Sequence, residues 1–317
     1  MEKDISKNNI SSDTVPESLW MASSAKTNYP ALRNDIKVDV AIVGGGITGI
    51  TSAYMLKKEG FNVAVIEADR IIQGTTGHTT AKITSQHGLI YNKIKNYMGE
   101  EKARQYADAN ETAIGIISDL VEQEKIDCDF HEEPAYVYTL MDSYVQQIAD
   151  EANTAAGLGI KSTFIENVPL PFKVKGAVKF DGQARFHPRK YLLALAKKVD
   201  GEGSSIFEHT RVVDINKGSP CVLVTNQGKK VTADNIVIAS HFPCFDGMGF
   251  YFARMYPERS YALALKVKEK FSGGMYITAE DPGRSLRSQE YEGGELIIVG
   301  GEHHKTAHGT SFHKHYE

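Results

Sequence analysis

The 317-residue sequence predicts an α/β fold in which a parallel-sheet domain is split by a mixed α+β unit. Three observations carry this. An apolar strand, Val38 to Val43, runs straight into Gly44-Gly45-Gly46, a helix-like stretch and a second apolar strand ending in Glu67. A proline-started helix at His187-Pro188 brings short apolar strands back as far as Ser240. Residues 86–181 and those from about 246 change pattern, with long helical periodicities and then β-rich runs.

The first βαβ unit is the most informative. Val38 to Gly49 reads VDVAIVGGGITG. The helix is expected over Ile50 to Glu59, where Ile50, Ala53, Tyr54 and Leu56 share a face and Gly60 stops it. The second strand runs from Phe61 to Ile66, before Glu67 and Ala68. This strand–turn–helix–strand setting with a terminal acid is the Rossmann dinucleotide fingerprint; a glycine-rich turn that only packs tightly needs none of those companions. Gly44 allows the tight turn. Gly46 lets a pyrophosphate approach the backbone, beside Ile47 and Thr48. Gly49 lets the helix lie close on the strand. Free N–H groups at the helix start favour phosphate, by roughly 0.3–1 kcal/mol through the dipole. A carboxylate at Glu67 accepts ribose hydroxyls and disfavours a 2′-phosphate, which argues against NADP.

The remaining elements follow in order. Residues 1–34 are a polar arm pinned by Trp20, the single tryptophan. Gly74 to Gly88, GTTGHTTAKITSQHG, is an unusual Gly/Thr-rich loop. Residues 91–125 carry one long helix or two, 135–140 a strand, 142–156 a helix ended by Gly157 or Gly159, and 160–180 short strands. Tyr191, Leu192, Leu195, Ala196 and Val199 face the core from the proline-started helix. Strands are expected at 205–207, 212–215, 222–225, 236–240, 261–267, 275–278 and 296–299. The split layout assigns 35–85 and 182–245 to the dinucleotide domain and 86–181 and 246–317 to the inserted substrate domain.

A formal charge of −4 and the lack of any basic cluster argue against nucleic acid. Cys128, Cys221 and Cys244 show neither CxxC nor CxH spacing, so no metal or disulfide is expected, and a cytoplasmic setting fits. The start, MEKDISKNN, is not a signal peptide, and no apolar run approaches the ~18–20 residues of a membrane span.

In this block order the sequence resembles the FAD-dependent amine and amino-acid oxidoreductases of the D-amino-acid oxidase (DAO) superfamily. The blocks are VDVAIVGGGITGITSAYMLKKEG, VAVIEADR, the Gly/Thr-rich loop, ARFHPRKYLLALAKKV, IFEHTRVVDI and ADNIVIAS. GTTGHTTAKITSQHG, RSLRSQ and LIIVGGEHHKT look like the bacterial subgroup whose longer members carry a C-terminal Rieske [2Fe–2S] domain. The resemblance implies a GR2/DAO-type FAD-binding domain, a glycine-oxidase-like architecture, and hydride transfer from an amine or amino acid to flavin. Gly44, Gly46 and Gly49 would meet the pyrophosphate, Glu67 the adenosine ribose, Val212 the adenine and Ser240 the adenosine. Thr75, Thr76, Gly77, His78 and Thr79 would lie along the pyrophosphate and flavin. GTTGH resembles the GTTWH of dimethylglycine- and sarcosine-dehydrogenase-like relatives, whose histidine bonds covalently to flavin; here Gly77 stands for the tryptophan. A covalent link, a hydrogen bond and a bland loop histidine all stay open for His78, the one catalytic candidate.

Arg254, Arg259, Arg284 and Arg287 are candidate anchors for a substrate carboxylate, or else solvated surface residues. Tyr251, Tyr256 and Tyr261 either wall a pocket or pack as aromatic core, and Lys82 of the Gly/Thr-rich loop is a candidate neighbour of the flavin. His303, His304, His308, His313 and His315 lack a fixed acid partner and read as a tail rather than a metal site. The family's last strand and glycine-rich turn, and any CxH…CxxH Rieske pair, do not precede Tyr316-Glu317. A fragment of a longer protein is therefore expected, with a Rieske centre as electron acceptor in the full-length relatives. A flavin-binding but inactive module is the alternative; an NAD-dependent dehydrogenase would leave the split order unexplained.

Overall fold

Val38, Val40, Ala41, Ile42 and Val43 are all buried, the pattern of a strand covered on both faces. They lie in β1 (Ile36–Val43), which follows a short α1 (Leu19–Ala22) in a computed structural model that describes residues 17–246 and 249–306. Next come α2 (Ile47–Lys58), β2 (Val63–Ile66), a 3-10 turn at Thr75–His78 and β3 (Lys82–Ile83). The chain then forms α3 (Tyr91–Met98), α4 (Glu100–Gln123), β4 (His131–Glu132), β5 (Ala135–Thr139), α5 (Asp142–Gly157), β6 (Ser162–Ile165), β7 (Gly176–Phe180) and β8 (Ala184–Arg185). After α6 (Pro188–Val199) come β9 (Ser205–Phe207), β10 (Val212–Asn216), β11 (Cys221–Thr225) and β12 (Lys230–Ile238). A 3-10 turn at Tyr251–Arg254 leads to β13 (Glu258–Lys266), β14 (Met275–Thr278), β15 (Ser285–Tyr291) and β16 (Gly294–Lys305).

These strands form two large sheets. The first has the order β10-β11-β12-β1-β2-β9. Its centre is parallel, β12 to β1 to β2 to β9, and β10 and β11 add an antiparallel meander. The second has the order β13-β16-β15-β14-β5-β7-β6 and is antiparallel except where β14 runs beside β5. A small sheet, β3-β8-β4, sets Lys82 opposite Arg185. The largest core packs α2 and α6 on the first sheet around Ile42, Ile50, Leu192 and Leu195, with Trp20 in the same cluster. Truncating a fully buried Ile or Leu there would cost about 2–5 kcal/mol.

Several boundaries differ from the sequence expectation. α2 starts at Ile47 rather than Ile50, because Gly46 is its N-cap and the fingerprint itself supplies the first turn. The 91–125 stretch is two helices, separated at Gly99, whose φ of +87° a helix cannot continue through. β12 starts at Lys230, where its polar half pairs with β11. β15 was not anticipated as a strand; SLRSQEY has little apolar alternation, yet it lies between β14 and β16. His187 caps α6 by accepting from the Lys190 N–H, and Pro188 is the first helical residue. The N-cap of α3, Ile90, makes no side-chain cap. Glu151 from α5 reaches across instead, and its two oxygens accept the N–H groups of Ile90, Tyr91 and Asn92 at 2.8 Å each.

His303 and His304 lie in β16 rather than in a tail, and His303 Nε2 stands 3.3 Å from Asp281 Oδ1; His308, His313 and His315 lie outside the described residues, as does the arm before residue 17. Cys128, Cys221 and Cys244 are free. No helix of the described residues is long and apolar enough to cross a membrane.

Candidate cofactor and substrate site

The site begins where β1 meets α2. Gly44 has φ +106°, and a Cβ there would stand 2.4 Å from the Ala239 carbonyl oxygen, so the turn and the contact with the end of β12 both require glycine. A Cβ on Gly49 would lie 1.9 Å from the Gly44 carbonyl oxygen, so α2 sits directly on the turn. Gly46 faces open space; a Cβ there would meet only the Thr76 hydroxyl, at 3.3 Å. The first N–H groups of α2 have no carbonyl four residues back. That of Ile47 donates to Thr76 Oγ1 at 3.2 Å; those of Thr48 and Gly49 follow it in the first turn.

Glu67 sits at the end of β2 with its carboxylate oriented by two backbone donors. Oε2 accepts from the Gly45 N–H at 2.8 Å and Oε1 from the Asp69 N–H at 2.9 Å. An ionised carboxylate has acceptor capacity beyond those two bonds, and this one lines a cavity of ≈ 720 Å³. Gly44, Gly46, Ile47, Thr48, Thr75, Thr76 and Ser240 share that cavity. The Ser240 hydroxyl donates to the Phe242 carbonyl at 2.7 Å. Ala68 and Val212 are not among its walls; Val212 packs behind it in the cluster that includes Phe245. Tyr251, expected at a substrate pocket, stands half-exposed at this nucleotide cavity instead.

Ile47, Thr75 and Thr76 are shared with a second cavity of ≈ 360 Å³, walled by Ala113, Ile114 and Ile117 of α4. That one shares Thr75, Thr79 and Lys82 with a third, of ≈ 550 Å³, roofed by β13 to β16. The three spaces are neighbours that share walls, and together they make a trough-like row from the α2 N-terminus to the face of the second sheet. A glycine-free-of-Cβ entry, a row of helix N–H groups and a fixed carboxylate suit a dinucleotide's pyrophosphate and ribose, so the residues present fit FAD.

The turn between these cavities is held by the N-terminal arm. The Ser18 hydroxyl donates to the Gly77 carbonyl at 2.5 Å, and Trp20 Nε1 donates to the Thr79 carbonyl at 2.7 Å. A Cβ on Gly77 would come within 3.0 Å of the Ile72 carbonyl and 3.1 Å of Met21 Sδ, so the arm fills the space beside it. The arm is itself anchored by buried charge. Arg189 donates to Ser24 Oγ and to the Ala25 and Ile72 carbonyls, and Glu208 accepts from Thr27, Tyr29 and Ile71. His78 lines the third cavity. Its Nδ1 lies 3.0 Å from the Gln73 carbonyl and 2.9 Å from that of Gly74. Both are acceptors, so Nδ1 carries the proton and, in the neutral ring, Nε2 holds the lone pair.

The arginine expectation is corrected here. Arg287 is fully buried and its guanidinium is spent on the Thr80, Ser288 and Phe186 carbonyls and on Gln289 Oε1. Burial, and then Arg185, lower its pKa to about 9. Arg284 pairs with Glu302 on the surface, and neither Arg254 nor Arg259 lines the trough. Of the tyrosines, Tyr261 does line the third cavity, with its hydroxyl 3.0 Å from His304 Nε2, while Tyr256 is exposed beneath Lys305. Among the described residues no group of His, Cys, Asp and Glu could hold a metal. The arm-to-turn bonds and the Thr76 cap were beyond sequence reasoning; each joins residues far apart in the chain.

The family described as "DAO: FAD dependent oxidoreductase" matches residues 39–316. The chain is 42% identical over 303 residues to "Putative Rieske 2Fe-2S iron-sulfur protein YhfW" of Bacillus subtilis, covering 96% of this chain and 60% of that protein. It is 26% identical over 236 residues to "Gamma-glutamylputrescine oxidoreductase" of Escherichia coli, covering 72% of this chain and 55% of that one. The chain thus spans about 60% or less of the length of these curated relatives. Among solved structures, L-proline dehydrogenase from P. horikoshii superimposes with a TM-score of 0.70 at 19% identity, over 89% of this chain and 75% of the other. A likeness at that identity speaks for the fold, but the family match spans residues 39–316, most of the chain, and on it the chain belongs to the DAO family of FAD-dependent oxidoreductases.

Proposed function

We propose that this chain is the flavin-bearing body of an oxidoreductase that oxidises the C–N bond of a small amine or amino acid. The single observation that supports it is the row of adjoining cavities, with a nucleotide-type cradle at one end and a sheet-roofed cavity at the other. Bound FAD supplies a two-electron acceptor for a hydride equivalent from the carbon beside the nitrogen, and water then hydrolyses the resulting imine.

In this reading Gly44, Gly46, Ile47, Thr48 and Gly49 hold the pyrophosphate and Glu67 the ribose, with Ser240 at the adenosine and Ala68 and Val212 outside the cavity wall. Thr75, Thr76, Gly77, His78 and Thr79 border the flavin, and His78 presents Nε2 to it, as a hydrogen-bond acceptor or as the nucleophile of a covalent link. Residues 35–85 and 182–245 form the FAD domain, and 86–181 and 246–317 the substrate domain, whose sheet excludes water from the reacting carbon. Electrons would leave one at a time to a Rieske centre in longer relatives, in a cytoplasmic protein; the YhfW name motivates that acceptor.

The test is the visible spectrum of the purified chain supplied with FAD, before and after acid precipitation, followed by anaerobic addition of L-proline, glycine or putrescine. A flavin band bleached by one of these amines is expected. Colour that stays with the pellet supports a link at His78; colour in the supernatant removes it. Bound flavin that no amine bleaches favours the inactive-module alternative, and failure to bind FAD at any concentration overturns the reading.

A further inference from the structure

Lys82 stands where the second and third cavities meet and lines both. It is half-buried on β3, and among the described residues it has no hydrogen-bond or ion-pair partner. Its neighbours are mostly not acids. Arg185 is its register partner on β8, and Arg287 lies close on β15. Arg185 is answered by Glu133 at 2.9 Å, which leaves that carboxylate engaged. Around the third cavity the titratable groups are Glu17, His78, Tyr261 and His303, and around the second His241; none hydrogen-bonds or ion-pairs with the lysine among the described residues. A cation so placed gains nothing from pairing and loses its hydration. Burial first, and the Arg287 charge second, lower the Lys82 pKa from 10.5 to about 7.

We propose that Lys82 is the proton acceptor that takes the ammonium proton from an amine substrate in the third cavity. This rests on the amine-oxidising reading above. An ammonium cannot release a hydride from its adjacent carbon, because it has no nitrogen lone pair to form the imine. In the proposed step the substrate N–H bond breaks and its electron pair stays on the substrate nitrogen. The proton bonds to the lone pair of neutral Lys82, which becomes an ammonium and returns the proton to solvent after turnover. The burial and guanidinium charge that lower the lysine also lower a substrate ammonium beside it, so the two amines are brought toward the same proton affinity.

The experiment has two readouts on the full chain. Lysines are dimethylated with 13C-formaldehyde, and the Lys82 signal is identified by its loss in Lys82→Arg and followed by NMR against pH. A midpoint near 7, apart from the other lysines, is expected; a midpoint near 10 overturns the proposal. The FAD-loaded chain is then mixed anaerobically with L-proline, glycine or putrescine. Flavin bleaching is expected to rise with pH through about 7 in the parent chain. In Lys82→Met and Lys82→Arg it should fall about 100-fold at pH 7 and recover where the amine in solution loses its own proton. Parent-like bleaching at pH 7 in either variant, or a loss that does not recover at high pH, overturns the role. If the lysine titrates near 7 but no amine bleaches the parent flavin, the amine-oxidising reading has failed and the role falls with it, whereas a midpoint near 10 beside normal bleaching removes the lysine's role alone.

Discussion

The two ends of the trough are built by different means. At the nucleotide end the groups are backbone, or side chains oriented by backbone: the α2 N–H row, the Gly44 turn, and Glu67 on the Gly45 and Asp69 N–H groups. At the sheet end they are side chains gathered from distant strands: Lys82 on β3, Tyr261 on β13, Ser285 on β15, all lining one cavity. A pyrophosphate and a ribose are the same in every dinucleotide, so fixed backbone geometry can serve them. On the function proposed above, the sheet end must tell one small molecule from another, and only side chains vary enough for that.

Gly49→Val tests the nucleotide end most severely. Its Cβ would overlap the Gly44 carbonyl, and both partners are backbone, so neither can swing aside. A stability loss of about 3 kcal/mol and complete loss of flavin colour are expected, read by thermal melting and absorbance. A stable, yellow variant would show that the turn is not rigid. Glu67→Gln is milder. The amide oxygen keeps one backbone bond, the charge goes, and the amide nitrogen faces a donor where it needs an acceptor. FAD affinity should fall about tenfold, or ~1.4 kcal/mol, in a fluorescence titration. An unchanged affinity would remove Glu67 from the ribose.

What the sequence could reveal divides along the same line. The fingerprint occupies consecutive residues, and its strand, turn and helix constrain one another locally, so it is legible in one pass. Even there periodicity places the helix start at Ile50, three residues after the observed Ile47, because a glycine-flanked first turn carries little apolar periodicity. The sheet end depends on contacts across two hundred residues, such as Arg287 to the Thr80 carbonyl, and pattern reading has no access to them. Arg287 therefore reads in the sequence as one candidate anchor among four and is a buried strut in the fold. β15, with its polar sequence, is a strand only because β14 and β16 flank it.

Trp20→Phe sharpens the comparison from between the two ends. The smaller ring would stay in the core but leave part of the buried indole's space empty, and the bond from Nε1 to the Thr79 carbonyl would be lost. A cost of about 1–2 kcal/mol is expected, with the Thr79 carbonyl left to water. If the arm positions the flavin-side turn, FAD should also bind a few-fold more weakly and its absorbance maximum should shift. Lost stability with neither change would make the arm a brace for the fold alone.

The smallest effect is expected of Arg284→Ala, and its smallness is the point. An arginine anchoring a substrate carboxylate makes two parallel charge-assisted bonds, and losing it would raise KM well over tenfold. Arg284 instead holds Glu302 on the surface, with both side chains more than a third exposed, and it lines none of the three cavities of the trough. Exposed pairs of this kind contribute about 0–1 kcal/mol. The variant should therefore melt within a few degrees of the parent, and its flavin should be bleached by an amino acid at the parent KM. A raised KM with unchanged melting would place a carboxylate beside Arg284 and extend the substrate end of the trough to the Glu302 end of β16, whereas an unchanged KM leaves the recognition of any substrate carboxylate to groups that line the third cavity, such as Ser285 and the backbone around Gly300.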